Sequence, residues 1–167
     1  MVNMIEVYDN FLDEFDFARI QATLLGKDFP WFYQSETCYE ELPNDLNDFQ
    51  FTHIFYIDGE PKSHLFSLIQ PIMSKLDAMA FMRIKANLTT ISPIVRPGIF
   101  HCDYLNDSVI TSLFYLQNTN GGTLFENGDR IDCVENRLIT FRGQLEHAPE
   151  YSSDTKTRCV INFNYFK

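Results

Sequence analysis

An α+β, β-rich fold is predicted, with helices first and an antiparallel sandwich or jelly roll after them. Three observations predict it. Apolar residues in the first half recur at helical spacing, whereas in the second half they fall in short runs separated by turn signals. The 16 Phe and 8 Tyr among 167 residues add a preference for strands and pockets.

Asp13 followed by Asp16 resembles a helix start, and Phe17, Ile20 and Leu24 then fall at i, i+3 and i+7. That helix ends near Gly26 and Pro30, and the polar run from Glu40 to Asp45 reads as a loop. A second helix is expected to start at Pro61, a good first-turn residue. Its stripe is Leu65, Leu68, Ile69, Ile72, Leu76 and Met79, and Pro71 within it should kink or split the helix. From about Phe81 the expected strands are 82–88, 99–104, 109–116, 123–126, 131–134, 138–141 and 158–166. Pro97-Gly98, the stretch 118–122, Asn127-Gly128 and Arg142-Gly143 punctuate them. With no repeat, low-complexity tract or linker, 1–167 is expected to form one domain. Residues 1–80 are then a helical or mixed support and 81–167 the β-core.

Charge and cysteine usage narrow the setting. The net charge is −10, from 23 acidic and 13 basic residues, and no run of Lys or Arg appears, so nucleic acid is a disfavoured partner. Cys38, Cys102, Cys133 and Cys159 make no CxxC pair, the N-terminus is acidic rather than signal-like, and no stretch approaches 18 apolar residues. The expectation is a cytoplasmic protein with free thiols and no membrane span. Nothing in the pattern specifies an oligomeric state.

The chemistry centres on His101-Cys102-Asp103. In a strand, residues two apart share a face, so His101 and Asp103 would point the same way and Cys102 would turn away into packing. Of the four histidines only His101 has an acid at that distance; His53, His64 and His147 are followed there by Phe55, Phe66 and Pro149. His147, just past a strand and turn, can close the third corner of a metal site. Two imidazoles and one carboxylate with the other positions open form the facial triad of non-heme Fe(II) oxygenases. A surface strand pair and a loop histidine are the plain alternatives. In the last strand one face carries Arg158, Val160, Asn162 and Asn164, the other Cys159, Ile161, Phe163 and Tyr165. Such a strand either turns its polar face to water or lines a cavity with it. In a cavity, Arg158 would be a buried cation demanding an anion, and a ligand carboxylate suits its planar fork. Tyr115 shares a face with Thr111 and Leu113, so its hydroxyl is a candidate for the same cavity.

These residues resemble the 2-oxoglutarate/Fe(II)-dependent dioxygenase superfamily, most closely its prolyl-4-hydroxylase-like branch. The matching elements are H-x-D at His101 and Asp103, TSLFYLQN at 111–118, Gly121-Gly122-Thr123-Leu124, Phe141 ahead of His147, and TRCVINF at 157–163. They cover roughly 82–166. The resemblance implies a double-stranded β-helix, jelly-roll or cupin-like, with the N-terminal helices packed on one sheet. It implies His101, Asp103 and His147 as iron ligands, Arg158 on the distal carboxylate of 2-oxoglutarate, and Tyr115 hydrogen-bonded to that same carboxylate. Asn162 and Asn164 fall at cavity-facing positions, and Asn87 stands where relatives often carry a pocket tyrosine. The spacing from His147 to Arg158 is a little longer than usual in this branch. The short acidic style also resembles small oxygenases of bacteriophages, which would place the chain in a host cytoplasm.

The implied cofactors are Fe(II), 2-oxoglutarate as cosubstrate and O2, with ascorbate as a further candidate. The implied reaction is hydroxylation rather than halogenation, because related halogenases replace the carboxylate ligand with a small residue. A prolyl residue in a peptide or protein is the expected substrate. The alternatives are hydroxylation of a free amino acid or other small molecule, and a non-catalytic cupin-like binding module.

Overall fold

Polar and apolar residues alternate along most of the central strands, and this alternation builds the molecule. A computed structural model describes residues 5–35 and 48–167. The expected loop at 40–45 and Cys38 lie outside these residues. The chain runs β1 (Glu6–Tyr8), α1 (Glu14–Leu24), β2 (Phe32–Gln34), β3 (Gln50–Ile57) and β4 (Glu60–Pro61), then a 3-10 turn (Phe66–Ile69) and α2 (Gln70–Met73). It continues as β5 (Ala80–Thr90), β6 (Arg96–Pro97), β7 (Val109–Tyr115), β8 (Gly122–Phe125), β9 (Arg130–Asp132), β10 (Arg137–Arg142), β11 (His147–Tyr151) and β12 (Thr157–Phe166).

Two antiparallel sheets result. The major sheet is ordered β1-β10-β7-β12-β5-β3-β2, with β4 hydrogen-bonded to β3, and the minor sheet is ordered β6-β11-β8-β9. This is the jelly-roll arrangement of a double-stranded β-helix. One face of the major sheet presents Ile84 and Ala86 from β5, Phe114 from β7, and Cys159, Ile161 and Phe163 from β12. Ile20 and Leu24 of α1, with Leu68, Ile69 and Ile72 of the second helical segment, cover that face. The opposite face looks toward the minor sheet, where Leu113, Tyr115, Phe125, Ile139, Phe141 and Val160 form a second, smaller core. A shift of one residue in β12 would exchange the two faces, so burial on both sides fixes its register.

Helix α1 starts as expected: the Asp13 carboxylate accepts from the Asp16 amide at 3.0 Å. The expected helix from Pro61 does not form there. Asp58 and Gly59 have φ of 56° and 80°, the left-handed pair of a tight hairpin turn, and they place Pro61 in β4. The helical segment begins only at Phe66 and is split into a 3-10 turn and α2, with Pro71 in the first turn of α2. Met79, expected in its stripe, is 79% exposed, and its amide donates to the Phe166 carbonyl at 2.8 Å.

The expected strand 99–104 is also corrected. The chain instead follows β11 from residue 96, through β6, the Gly98 amide on the Pro149 carbonyl at 2.7 Å and a bridge at His101 opposite His147. It then leaves the minor sheet: the amides of Asp103 and Tyr104 both donate to the Gly143 carbonyl, at 3.0 and 3.2 Å. His147, read from the sequence as following a strand and turn, opens β11. The first 80 residues supply more than support, since β1, β2 and β3 are all strands of the major sheet.

Candidate metal centre and active site

The inward face of the major sheet is polar across three neighbouring strands. The pairing sets Tyr115, Val160 and Asn87 in one row, Leu113, Asn162 and Lys85 in the next, and Thr111, Asn164 and Arg83 in a third. Arg158 pairs with Thr89 one row further from the third. Most of these side chains line a cavity between the sheets, together with Gln50, His101, Asp103, Thr123, His147 and Pro149. The polar face of β12 therefore turns inward, not to water.

His101, Asp103 and His147 each place one ligand-type atom within 4.8 Å of the others. The two histidines face each other directly: each amide donates to the other's carbonyl, at 3.0 and 2.9 Å, and the ring centroids are 4.7 Å apart. Their Nδ1 atoms lie 3.1 Å from the Ile99 carbonyl and 3.0 Å from the Leu145 carbonyl. A carbonyl only accepts, so each Nδ1 carries the proton and each Nε2 keeps its lone pair. The Phe141 ring meets the His147 ring edge-on at 4.8 Å and fixes its plane.

Asp103 lies outside the strands, two residues past the bridge at His101. Its Oδ1 accepts from Arg83 at 2.9 Å; its Oδ2 accepts from Thr111 at 2.9 Å and from Asn162 and Asn164 at 3.1 Å each. Arg83 also donates to Asn164 Oδ1 at 3.0 Å, which closes the network and fixes that amide. Burial would push the Asp103 carboxyl up, but His147, Arg83 and the Asn162 hydrogen bond outweigh it and hold the group well below the usual carboxylate range. Burial holds the His147 imidazole below its ordinary value, against the pull of Asp103. Asp103 and His147 are thus held in the protonation states in which a carboxylate and an imidazole bind a metal.

Arg158 is 3% exposed. Its Nη2 donates to the Gly122 carbonyl at 2.9 Å and to Thr123 Oγ1 at 3.2 Å, while its Nε is buried without a partner. Among the described residues no carboxylate pairs with it. Tyr115 is fully buried behind this point: its hydroxyl lies 2.7 Å from Thr123 Oγ1 and its ring 5.6 Å from the guanidinium. The chain Tyr115–Thr123–Arg158 places the tyrosine beside the arginine rather than on the cavity wall. Asn87 Oδ1, Thr89 Oγ1 and Asn162 Oδ1 are further buried atoms without partners, and all three residues line the cavity.

The residues fit the group that the triad implies. Two unprotonated imidazole nitrogens and a carboxylate suit a first-row divalent metal, with positions left open toward the cavity. The unpartnered Arg158 Nε and the orphaned oxygens suit a polar acid within it. Cys102 is partly buried with a free thiol and is not one of the clustered ligands.

Sequence reading missed Arg83, Lys85, Thr89, Thr111 and Thr123. A signal existed for β5, where Arg83, Lys85, Asn87 and Thr89 alternate with Ile84, Ala86 and Leu88 just as the two faces of β12 do. Lys85 is pushed down to about 8, by burial first and then by the charge of Arg83.

No protein-family model and no curated relative matches the chain. Solved structures do. A prolyl hydroxylase from Trichoplax adhaerens, in complex with a peptide fragment of the hypoxia inducible factor oxygen degradation domain, aligns with a TM-score of 0.64 at 17% identity over 99% of this chain and 84% of that one. An oxidoreductase of the 2OG-Fe(II) oxygenase family from Burkholderia pseudomallei gives 0.68 at 12% over 97% and 85%. A Pseudomonas putida prolyl-4-hydroxylase gives 0.61 at 12% over 99% and 94%. The chain has the double-stranded β-helix fold of the 2-oxoglutarate/Fe(II) oxygenases.

Proposed function

We propose that this chain is a 2-oxoglutarate- and Fe(II)-dependent dioxygenase that hydroxylates a prolyl residue in a peptide or protein. The observation that carries the reading is the open triad of His101, Asp103 and His147 in one cavity with a buried Arg158 that has no anion. Residues 1–167 would act as one domain. The described part of its first 80 residues builds both edges of the major sheet, β1 beside β10 and β3 and β2 beside β5, and the helices behind it.

When bound, Fe(II) and 2-oxoglutarate would turn O2 into an oxidant for a substrate C–H bond, with succinate and CO2 as coproducts. The chain's own residues do the rest. His101 and His147 offer Nε2, held in that tautomer by the carbonyls of Ile99 and Leu145. Asp103 offers its carboxylate, kept ionised and oriented by Arg83, Thr111, Asn162 and Asn164. Arg158 holds the distal carboxylate of the cosubstrate, with Thr123 and Tyr115 fixing the guanidinium. Asn87 and Asn162 present acceptors to whatever lies beside the metal. The prolyl assignment is supported by the likeness to two prolyl hydroxylases and by the sequence elements at 111–118 and 157–163. A free amino acid or small molecule is the second reading, favoured by the extra cation at Lys85.

No helix among the described residues is long and apolar enough to cross a membrane. The free thiols of Cys102, Cys133 and Cys159 support a reducing, cytoplasmic setting.

The test is anaerobic titration of the protein with Fe(II) and 2-oxoglutarate, following the weak visible charge-transfer band. The band is expected in the wild type and in the exposed-site control His64→Ala, and not in His101→Ala. A band in His101→Ala sinks the triad. Arg158→Ala should weaken 2-oxoglutarate binding by about 1.5–3 kcal/mol, the usual loss of a charge-assisted contact. Succinate release in air, absent from a mere binding module, separates the enzyme from a cupin-like carrier.

A further inference from the structure

We propose that Lys85 holds a second carboxylate at the metal end of the cavity, opposite the one taken by Arg158. The inference rests on the oxygenase reading and deepens it. Lys85 pairs across the sheet with Asn162, whose amide donates to Asp103, whereas Arg158 pairs with Thr89. The backbone position level with Lys85 therefore lies four residues from Arg158 along β12, roughly 13 Å at about 3.3 Å per residue. Arg158 marks the far end of the cavity and Lys85 the row beside the metal ligands.

Lys85 lines the cavity without a hydrogen-bond or ion-pair partner among the described residues. Asp103 is the one carboxylate among the lining residues, and its oxygens already receive Arg83, Thr111, Asn162 and Asn164. A half-buried ammonium in that position gains from an anion taken up from outside. Its lowered affinity for the proton reports the same missing partner. Around it, Asn87 Oδ1 and Asn162 Oδ1 are buried acceptors without donors. The cation suits a carboxylate, and the two acceptors would in addition meet the amine of an acid that carries one on the neighbouring carbon. Two sources share that carboxylate: the 2-oxo-acid end of the cosubstrate, and the carboxylate of a free amino-acid substrate.

Calorimetric titration of Mn(II)-loaded protein under argon distinguishes them. In the first arm the probes are 2-oxoglutarate and 2-oxobutyrate, which lacks the far carboxylate. In the second they are L-proline and L-glutamate, added to protein saturated with 2-oxoglutarate. If Lys85 serves the cosubstrate, Lys85→Met weakens both oxo acids by about ten-fold or more, the value of one charge-assisted contact. Lys85→Arg then restores much of the loss, and Arg158→Ala weakens 2-oxoglutarate alone. If Lys85 serves a substrate, Lys85→Met leaves both oxo acids unchanged and abolishes amino-acid binding seen in the wild type. Oxo-acid affinities within about two-fold, with no amino-acid binding lost, overturn the proposal. Wild-type protein that binds neither Mn(II) nor 2-oxoglutarate overturns the oxygenase reading and this one together. A measurement free of substitution is the side-chain NMR signal of Lys85. It should move to that of a fully protonated amine at pH 8 on saturation with the bound probe, and an unmoved signal overturns the assignment.

Discussion

Asp103, the carboxylate proposed as a metal ligand, shows how much such a group's behaviour is set by its neighbours. Four side chains from β5, β7 and β12 aim donors at its two oxygens. Removing one leaves the carboxylate free to turn and leaves other buried groups unpaired. Asn164→Ala is expected to lower Mn(II) affinity by about 10- to 100-fold, the usual effect of losing an outer partner of a ligand, measured by competition with a chelator. Unchanged affinity would show that Arg83, Thr111 and Asn162 alone suffice. At this scale the sequence was half legible. An H-x-D triplet and a distant histidine advertise a metal, and Arg158 advertises an anion. Arg83 carried only the alternation of β5, and Thr111 and Asn164 only a place on a candidate cavity face, because their meaning depends on which strand lies beside which. Lys85 shared that alternation, but a lysine in a strand usually points to water, and only the cavity between the sheets half-buries it.

Among the elements, β12 was read almost to the residue, and α1 from its cap to its end. Both advertise themselves through local periodicity. The segment around His101 did not, because its pairing ends at the bridge to His147. Period-2 reasoning gave the right neighbours for a different reason, since Asp103 lies past the bridge and is placed by its amide on the Gly143 carbonyl. The hairpin at Asp58-Gly59 outcompeted the helical start at Pro61, and its two-residue turn signal was present in the chain. β12 is the element on which both cores depend. Ile161 is fully buried in the larger one while Val160 and Asn162 face the cavity. Ile161→Ala should cost about 2–5 kcal/mol in urea unfolding, with an unchanged slope, as for other buried large-to-small replacements. A loss below that range would mean that α1 and the 3-10 turn collapse onto the gap.

Over the whole molecule, the polar cavity costs stability that two apolar cores must offset. Lys85 makes this measurable. In the unfolded chain its amine keeps a proton to about 10.5, whereas in the fold it releases it near 8. Between those values the unfolded state binds more protons, so this residue's contribution raises stability as pH rises. Burial of Tyr115, pushed up to about 12, acts in the opposite sense above pH 10, and the raised Cys159 thiol does so from about its ordinary value. The clean observable is therefore a difference. Wild type should gain on Lys85→Met in urea midpoints between pH 8 and 10, and a constant difference would show that Lys85 titrates normally.

The facing amides of His101 and His147 have a kinetic consequence. They form the last bridge that ties this segment to β11 after β6 and the Gly98 amide. A metal gripping both rings would clamp that bridge, so each opening would first have to break coordination. Amide hydrogen exchange at these two positions should slow sharply when Mn(II) is added, while amides of α1 exchange as before. Two backbone protons would then report the occupancy of the centre without any turnover.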